Sequence, residues 1–278
     1  MLESRSFMMN LIRSIQFSQT RKDIFPYQLP FFGHEIVFDG PVTILIGENG
    51  SGKSTFLELI NEVIGLYKIR DKKTLHPELI SPINDAKSQV HIKYVLNKPK
   101  GFFFSAEDFT SYIHDLMKEK ANALEELKII DQTYKRKSAL SKSLASMPHM
   151  RTIGEINSLY QNDLLTSSHG EAYLDFFKSR IREKELYLLD EPETPLSIQN
   201  QLTLLSIIDE GVKRDNQFII ATHSPILMAI PYATIYEVSE QGFKRIAYDQ
   251  IESVILLKQF MNHPESFLRH LYSDDEKK

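Results

Sequence analysis

Short apolar runs bounded by glycine and proline alternate along this chain with segments whose apolar residues recur every three or four positions, so strands and helices interleave. Ile12 to Phe17, Glu35 to Phe38 and Val42 to Ile46 read as strands, with β-forming side chains between breakers such as Pro30, Gly33, Gly40 and Pro41. From Ser54 the spacing changes. Phe56, Leu57, Ile60, Val63 and Ile64 share a helical face, so a helix follows the third strand after a glycine-rich turn. Lys68 to Lys87 is polar and shows no period. Val90 to Leu96 and Gly101 to Phe104 read as two strands of a hairpin turning at Asn97-Lys98-Pro99-Lys100.

Phe109, Tyr112, Ile113, Leu116, Leu124, Leu127 and Ile130 mark one face of a long helix whose other face carries Lys118, Glu119, Lys120, Glu125 and Glu126. The basic, serine-rich stretch Lys135 to Lys142 reads as a solvated surface segment, with contact to a phosphate backbone as the alternative. Beyond Gly170 the order is helix, strand Glu185 to Leu189, helix Pro195 to Glu210, strand Gln217 to Ala221, and a short helix opening at Ser224-Pro225. Tyr232 to Val238 and Phe243 to Tyr248 read as closing strands, and helices finish the chain. Alternation of this kind predicts an α/β fold with parallel strands at the centre of its sheet. No linker or internal repeat divides the sequence, so residues 1–278 are expected to form one domain with a helical insertion.

At 278 residues and 42% hydrophobic content the chain can bury a sizeable core. Its 33 Lys and Arg against 37 Asp and Glu leave a net charge of −4, so binding of DNA or RNA is not indicated and would need a local basic patch. With no cysteine, disulfides, thiolate zinc sites and cysteine nucleophiles are excluded. The N-terminus lacks the basic segment and apolar block of a signal peptide, and no apolar run is long enough for a bilayer. The expectation is a soluble, cytoplasmic protein.

Gly47-Glu48-Asn49-Gly50-Ser51-Gly52-Lys53-Ser54 fits G-x-x-x-x-G-K-[ST], between a predicted strand and a predicted helix. Glycines let the backbone curl so that several N–H groups face one anion, and the helix N-terminus adds partial positive charge behind them. Lys53 is expected to reach the β- and γ-phosphates of a nucleoside triphosphate, and Ser54 to place its hydroxyl on Mg2+. Leu186 to Glu191 is an apolar strand that delivers two carboxylates at its C-terminal edge, where ligands bind in open α/β sheets. Asp190 is the candidate metal holder, and Glu191 the candidate to accept a proton from attacking water. Phe218 to Ala221 aims His223 at the same edge, either as a structural residue or as a contact to the γ-phosphate.

These three elements, with Ser167-Ser168-His169-Gly170-Glu171 between the first two, resemble the ABC-type ATPase superfamily: Walker A at Gly47 to Ser54, a Walker B strand ending at Asp190-Glu191, a signature at Ser168, and Thr222-His223-Ser224. The chain is most similar to the small stand-alone bacterial ATPases of that superfamily, related to the ATPase lobes of the structural-maintenance-of-chromosomes and overcoming-lysogenization-defect proteins. The resemblance implies an ABC-type P-loop core with a mixed sheet, antiparallel N-terminal strands and a helical subdomain insertion. The core lobe would be 1–106 and 184–278, and the helical signature subdomain 107–183.

It also implies ATP and Mg2+ as ligands, with Thr55 joining Gly47 to Ser54 in the nucleotide site and Lys53, Glu191 and His223 serving hydrolysis. Two subunits would sandwich ATP as a homodimer, Ser168, His169, Gly170 and Glu171 reaching the partner's γ-phosphate. Three positions depart from the pattern. His169 stands where glycine is common, Ser197 where an aspartate is common, and no glutamine marks the Q-loop, for which Glu107 is the nearest candidate. Tyr27 or Phe32 is the candidate to stack on adenine. Leu116 to Thr166 is too short for the long coiled coil of chromosome-organising relatives.

The function implied is an ATP-driven switch or clamp acting on a protein partner, in anti-phage defence or DNA metabolism. A transporter's nucleotide-binding subunit and an ATP sensor with little hydrolysis are the alternatives. The signature's departure from the transporter form favours the first reading, and Glu191 argues against the sensor.

Overall fold

The computed structural model describes residues 10–18, 23–69, 77–159 and 169–272. Its strands are β1 (Ile12–Phe17), β2 (Glu35–Val37), β3 (Val42–Ile46), β4 (Tyr67–Lys68), β5 (Val90–Tyr94), β6 (Gly101–Ser105), β7 (Leu186–Asp190), β8 (Gln217–Ala221), β9 (Thr234–Ser239) and β10 (Gly242–Arg245). The helices are α1 (Lys53–Ile64), α2 (Pro77–Ala86), α3 (Ala106–Thr133), α4 (Ala139–Leu159), α5 (His169–Arg180), α6 (Ile198–Val212), α7 (Glu252–Asn262) and α8 (Pro264–Tyr272).

Seven strands form the central sheet in the order β10-β9-β3-β8-β7-β6-β4, parallel except for the β9–β10 pair. Every residue of β3, β7 and β8 is buried, which is why these strands read as unbroken apolar runs rather than alternating ones. One face packs on an aromatic cluster that includes Phe102, Phe104, Phe109, Tyr173 and Phe177, and the other on Phe17, Phe31, Phe56 and Phe103. β2, β1 and β5 form a second, antiparallel sheet. The mixed sheet and the antiparallel N-terminal strands agree with the expected fold class.

The expected hairpin of Val90 to Phe104 does not form. β5 pairs with β1 (Ile15 opposite Ile92), whereas β6 enters the central sheet between β4 and β7. Burial explains the separation: β5 has exposed positions at His91 and Lys93, but Phe102, Phe103 and Phe104 are all buried and need cover on both faces. Gly101 makes the junction possible. Its φ is 139°, and a Cβ there would lie 1.8 Å from the Leu186 carbonyl oxygen.

The stretch Lys135 to Lys142, expected as a surface loop, is half turn and half helix. Only Tyr134 to Ser138 turns, and Ser138 Oγ accepts from the Ser141 N–H (3.2 Å) as α4 begins, so the serine acts as a helix start. α3 and α4 then run antiparallel, tied by Lys142 to Asp131 near the turn and by Lys120 Nζ to Asn157 Oδ1 (2.6 Å) further back. With 28 residues, α3 is about 42 Å long, a short helical hairpin. The short helix expected at Ser224-Pro225 is a single 3-10 turn at Leu227–Ala229, led by Ser224 Oγ accepting from the N–H groups of Ile226 (3.1 Å) and Leu227 (3.3 Å).

Candidate functional site

Parallel register gathers the site. Asp190 lies opposite Ser105 on β6 and Ala221 on β8, so the carboxyl ends of three strands share one edge with the loop that leaves β3. In that loop Gly50 and Gly52 have φ of 82° and 94°, and Ser51 N–H donates to the Glu48 carbonyl (3.2 Å), closing a tight turn just before α1. A Cβ on Gly47 would meet the Val238 carbonyl oxygen at 2.5 Å. Glu48, Asn49 and Gly50 stand exposed at the tip, and Ser51 Oγ is buried with no hydrogen-bond partner.

Lys53 Nζ donates to the carbonyls of Gly47 and Glu48, both at 2.9 Å, which bends the ammonium back over the loop. Burial lowers its pKa, opposed by the negative charges of Glu191, Asp190 and Glu193. Ser54 Oγ donates to Asp190 Oδ1 at 3.1 Å. Burial pushes the Asp190 carboxyl up to about 7 against the Ser54 hydrogen bond, and repulsion from Glu191 and Glu58 adds to the rise. Thr55 follows, half-buried on α1.

Glu191 sits at φ 47°, held by its N–H on the Ala221 carbonyl (2.9 Å). That turn lifts its carboxylate out of the strand, half exposed, with Oε1 3.8 Å from His223 Nε2. His223 in turn is placed by a residue that motif reading missed: Glu193 Oε1 accepts from the N–H groups of His223 (2.7 Å) and Ser224 (3.1 Å). The sequence marks it only as the third acid of Asp190-Glu191-Pro192-Glu193, with nothing in the pattern to say which atoms it would satisfy.

Two clefts flank the loop. One of about 470 Å3 is lined by Ser54, Glu107, Thr110, Asp190, Glu191 and Thr194, which puts Glu107 beside both acids. The other, of about 910 Å3, runs from Gln28, Leu29 and Pro30 across Gly47 to Ser51 and on to Lys244. Tyr27 and Phe32 do not line it. Their rings stand 5.4 Å apart and pack on the Phe17 and Phe31 core, so the wall next to the loop is Leu29-Pro30 rather than an aromatic face.

Ser167 and Ser168 lie outside the described residues. His169 and Gly170 open α5, followed by Glu171. Gly170 is buried, and a Cβ there would come within 2.7 Å of Asn200 Nδ2. Ser197 caps α6 by accepting from Asn200 N–H (3.3 Å). Among the described residues there is no group of three or more His, Asp or Glu suited to a metal. Ser54 and Asp190 nonetheless suit Mg2+: a hydroxyl and a carboxylate in contact, the carboxyl carrying excess negative surroundings that a cation would relieve.

A largely parallel sheet whose strand-to-helix loop curls around a lysine and abuts an acidic strand end has the architecture of P-loop nucleotide-binding domains. The family model described as AAA domain, AAA_23, matches residues 29–219, more than half of the sequence, and the chain belongs to that family. A Bacillus cereus protein named as an ABC transporter ATP-binding protein is 25% identical over 227 residues, 79% of this chain but 35% of its own length. An ABC transporter ATP-binding protein of Haemophilus influenzae is 28% identical over 243 residues, 86% of each chain. Among solved structures, a Pyrococcus furiosus Smc head domain bound to the C-terminal domain of ScpA matches with a TM-score of 0.43 and 15% identity, over 90% of this chain and 99% of that one. The chain is thus a member of the ABC-type ATPase superfamily. Among the described residues no helix is long and apolar enough to cross a membrane.

Proposed function

We propose that this chain binds ATP with Mg2+, hydrolyses it, and pairs with a second copy around the nucleotide to switch or clamp a protein partner. The observation that carries the reading is the Ser54 to Asp190 contact of 3.1 Å, which joins the phosphate loop to the acidic strand end. In this reading the loop amides and Lys53 hold the β- and γ-phosphates, with Ser54 and Asp190 as the metal's protein ligands. Bound Mg2+ would supply charge neutralisation of the phosphates. Glu191 accepts a proton from the attacking water, and its outward turn at φ 47° supports that role. His223, 3.8 Å from Glu191, donates toward the γ-phosphate. Glu107 faces the same cleft and fills the Q-loop's place.

Ser168, His169, Gly170 and Glu171 would complete the partner copy's site. The start of α5 at His169 supports this, since a helix N-terminus favours an anion. ATP then acts as the glue of the homodimer and hydrolysis releases it. The division into a core lobe and a helical lobe, the cytoplasmic location and a role in defence or DNA metabolism belong to the same reading. The names of the two relatives favour a second one, a transporter's nucleotide-binding subunit. Co-purification with a membrane permease would decide for it.

The test is titration of fluorescent ATP, with phosphate release measured in parallel, on wild type and Lys53→Ala. A loss of affinity of at least about tenfold is expected from removing the ammonium. Equal affinity would overturn nucleotide binding at this loop, and binding without phosphate release would leave a sensor.

A further inference from the structure

Glu193 uses one oxygen and not the other. Oε1 takes both backbone N–H groups at His223 and Ser224, whereas Oε2 is buried with no partner. A second buried atom has the complementary chemistry. The hydroxyl of Tyr173, on α5 and 1% exposed, also has no hydrogen-bond partner. Its ring is wedged edge-on between Phe104 (4.9 Å) and Phe109 (5.0 Å). Burial first, and then the charges of Glu193 and Asp190, hold the pKa of this phenol well above the ordinary value, so the group is a neutral donor. Phenylalanine fills the neighbouring positions 176 and 177 and would fill this one equally well. The hydroxyl therefore needs a reason beyond packing, because a buried donor left unmade is costly.

We infer that Tyr173 and Glu193 form a latch between α5 and the His223 turn: a small shift of α5 toward residues 191–196 lets the Tyr173 hydroxyl donate to Glu193 Oε2. Since Oε1 already holds the His223 backbone, the orientation of α5 is passed to His223. Glu193 is then the positioning residue for His223, and Tyr173 the positioning residue that couples it to the helix opened by Gly170. The latch rests on the ATPase reading, in which closure around nucleotide moves α5.

The experiment uses the full chain with Tyr173→Phe, Glu193→Ala and Glu193→Gln. It reads amide hydrogen exchange at His223 and Ser224 with and without Mg·ATP, the unfolding midpoint, and kcat and KM for ATP hydrolysis. Glu193→Ala should speed exchange at the His223 amide by about tenfold or more with or without nucleotide, and less at Ser224, whose N–H also donates to Thr222 Oγ1 (2.9 Å); Glu193→Gln, which keeps an acceptor, should restore protection. Tyr173→Phe should unfold no earlier than wild type and match its exchange without nucleotide. It should lose the added protection that ATP gives, and lower kcat about tenfold with KM within about twofold. Wild-type kcat and wild-type ATP-induced protection in Tyr173→Phe would overturn the latch. Unchanged exchange in Glu193→Ala would overturn the role of Glu193. If wild type shows no response to ATP in any readout, the nucleotide reading falls and takes the closing step with it, a pattern distinct from both.

Discussion

Ser54 and Asp190 are separated by 136 positions, yet the serine hydroxyl donates to the carboxylate at 3.1 Å. Neither is placed by its own neighbours. Ser54 stands in the first turn of α1 because the glycine loop ends there, and Asp190 ends β7 in register with Ala221 on β8. The contact thus reports the β3–β8–β7 order directly. It also leaves a carboxyl whose burial is offset only in part by the Ser54 hydrogen bond and the Lys53 charge, with Glu191 and Glu58 adding repulsion.

That imbalance predicts a pH dependence of stability without nucleotide. Asp190 titrates near 7 in the folded protein, far above an unfolded aspartate at about 3.9. Below about pH 4 both states are protonated. As pH rises from there to 7 the unfolded chain has released the proton and the folded one has not, so this group's contribution is progressively lost and then levels off. Between pH 5.5 and 8 the loss is on the order of 2 kcal/mol, several degrees in melting temperature. The difference between wild type and Asp190→Asn across that range isolates it; a flat difference would refute the assignment.

Asp190→Asn has a second expected consequence with the opposite sign for function. Asparagine keeps an oxygen that accepts from Ser54 while removing the negative charge, so the free protein should melt higher than wild type at pH 8. ATP affinity measured with and without Mg2+ should then differ by less than about threefold, against at least about tenfold in wild type. A variant that keeps the wild-type metal dependence would remove Asp190 from the metal's ligands.

Gly101 carries a purely structural prediction. A Cβ would stand 1.8 Å from the Leu186 carbonyl oxygen, and a φ of 139° is unfavourable for any other residue. Neither strand can yield, since β6 and β7 are paired over their whole length inside the sheet. Gly101→Ala should therefore cost about 3 kcal/mol or more by urea unfolding. A cost under about 1 kcal/mol would mean the β6–β7 junction is built differently.

How far the sequence could be read depended on whether the deciding contact was local. The phosphate loop and the ends of β7 and β8 were legible because motif and unbroken apolar runs coincide there, as Leu186 to Asp190 and Phe218 to Ala221 show. The partner of β5 was not, because Ile92 meets Ile15 across most of the N-terminal region and a nearby turn at Asn97 to Lys100 suggested a closer mate. α2 was hidden by its polar composition and by Pro82 within it. Glu193 and Tyr173 escaped for a different reason. Their meaning lies in which atoms they satisfy or leave unsatisfied on elements 20 to 30 positions away, and no residue pattern encodes that.

Glu191 and Ser168 offer the sharpest division between binding, pairing and turnover. Glu191→Gln keeps the shape of the side chain and its turn at φ 47° while removing the proton acceptor, so nucleotide should stay bound and phosphate release should fall at least about a hundredfold. If two copies close around ATP, the trapped nucleotide holds them together, and size-exclusion chromatography with Mg·ATP should show this variant as a dimer. If the serine serves the other copy's site, Ser168→Arg should bind ATP as tightly as wild type yet stay monomeric under the same conditions. Combining the two should give a monomer that retains ATP, since removing the acceptor cannot restore a contact the arginine blocks. Identical elution of both single variants with nucleotide would refute pairing through the signature, whatever their affinities for ATP.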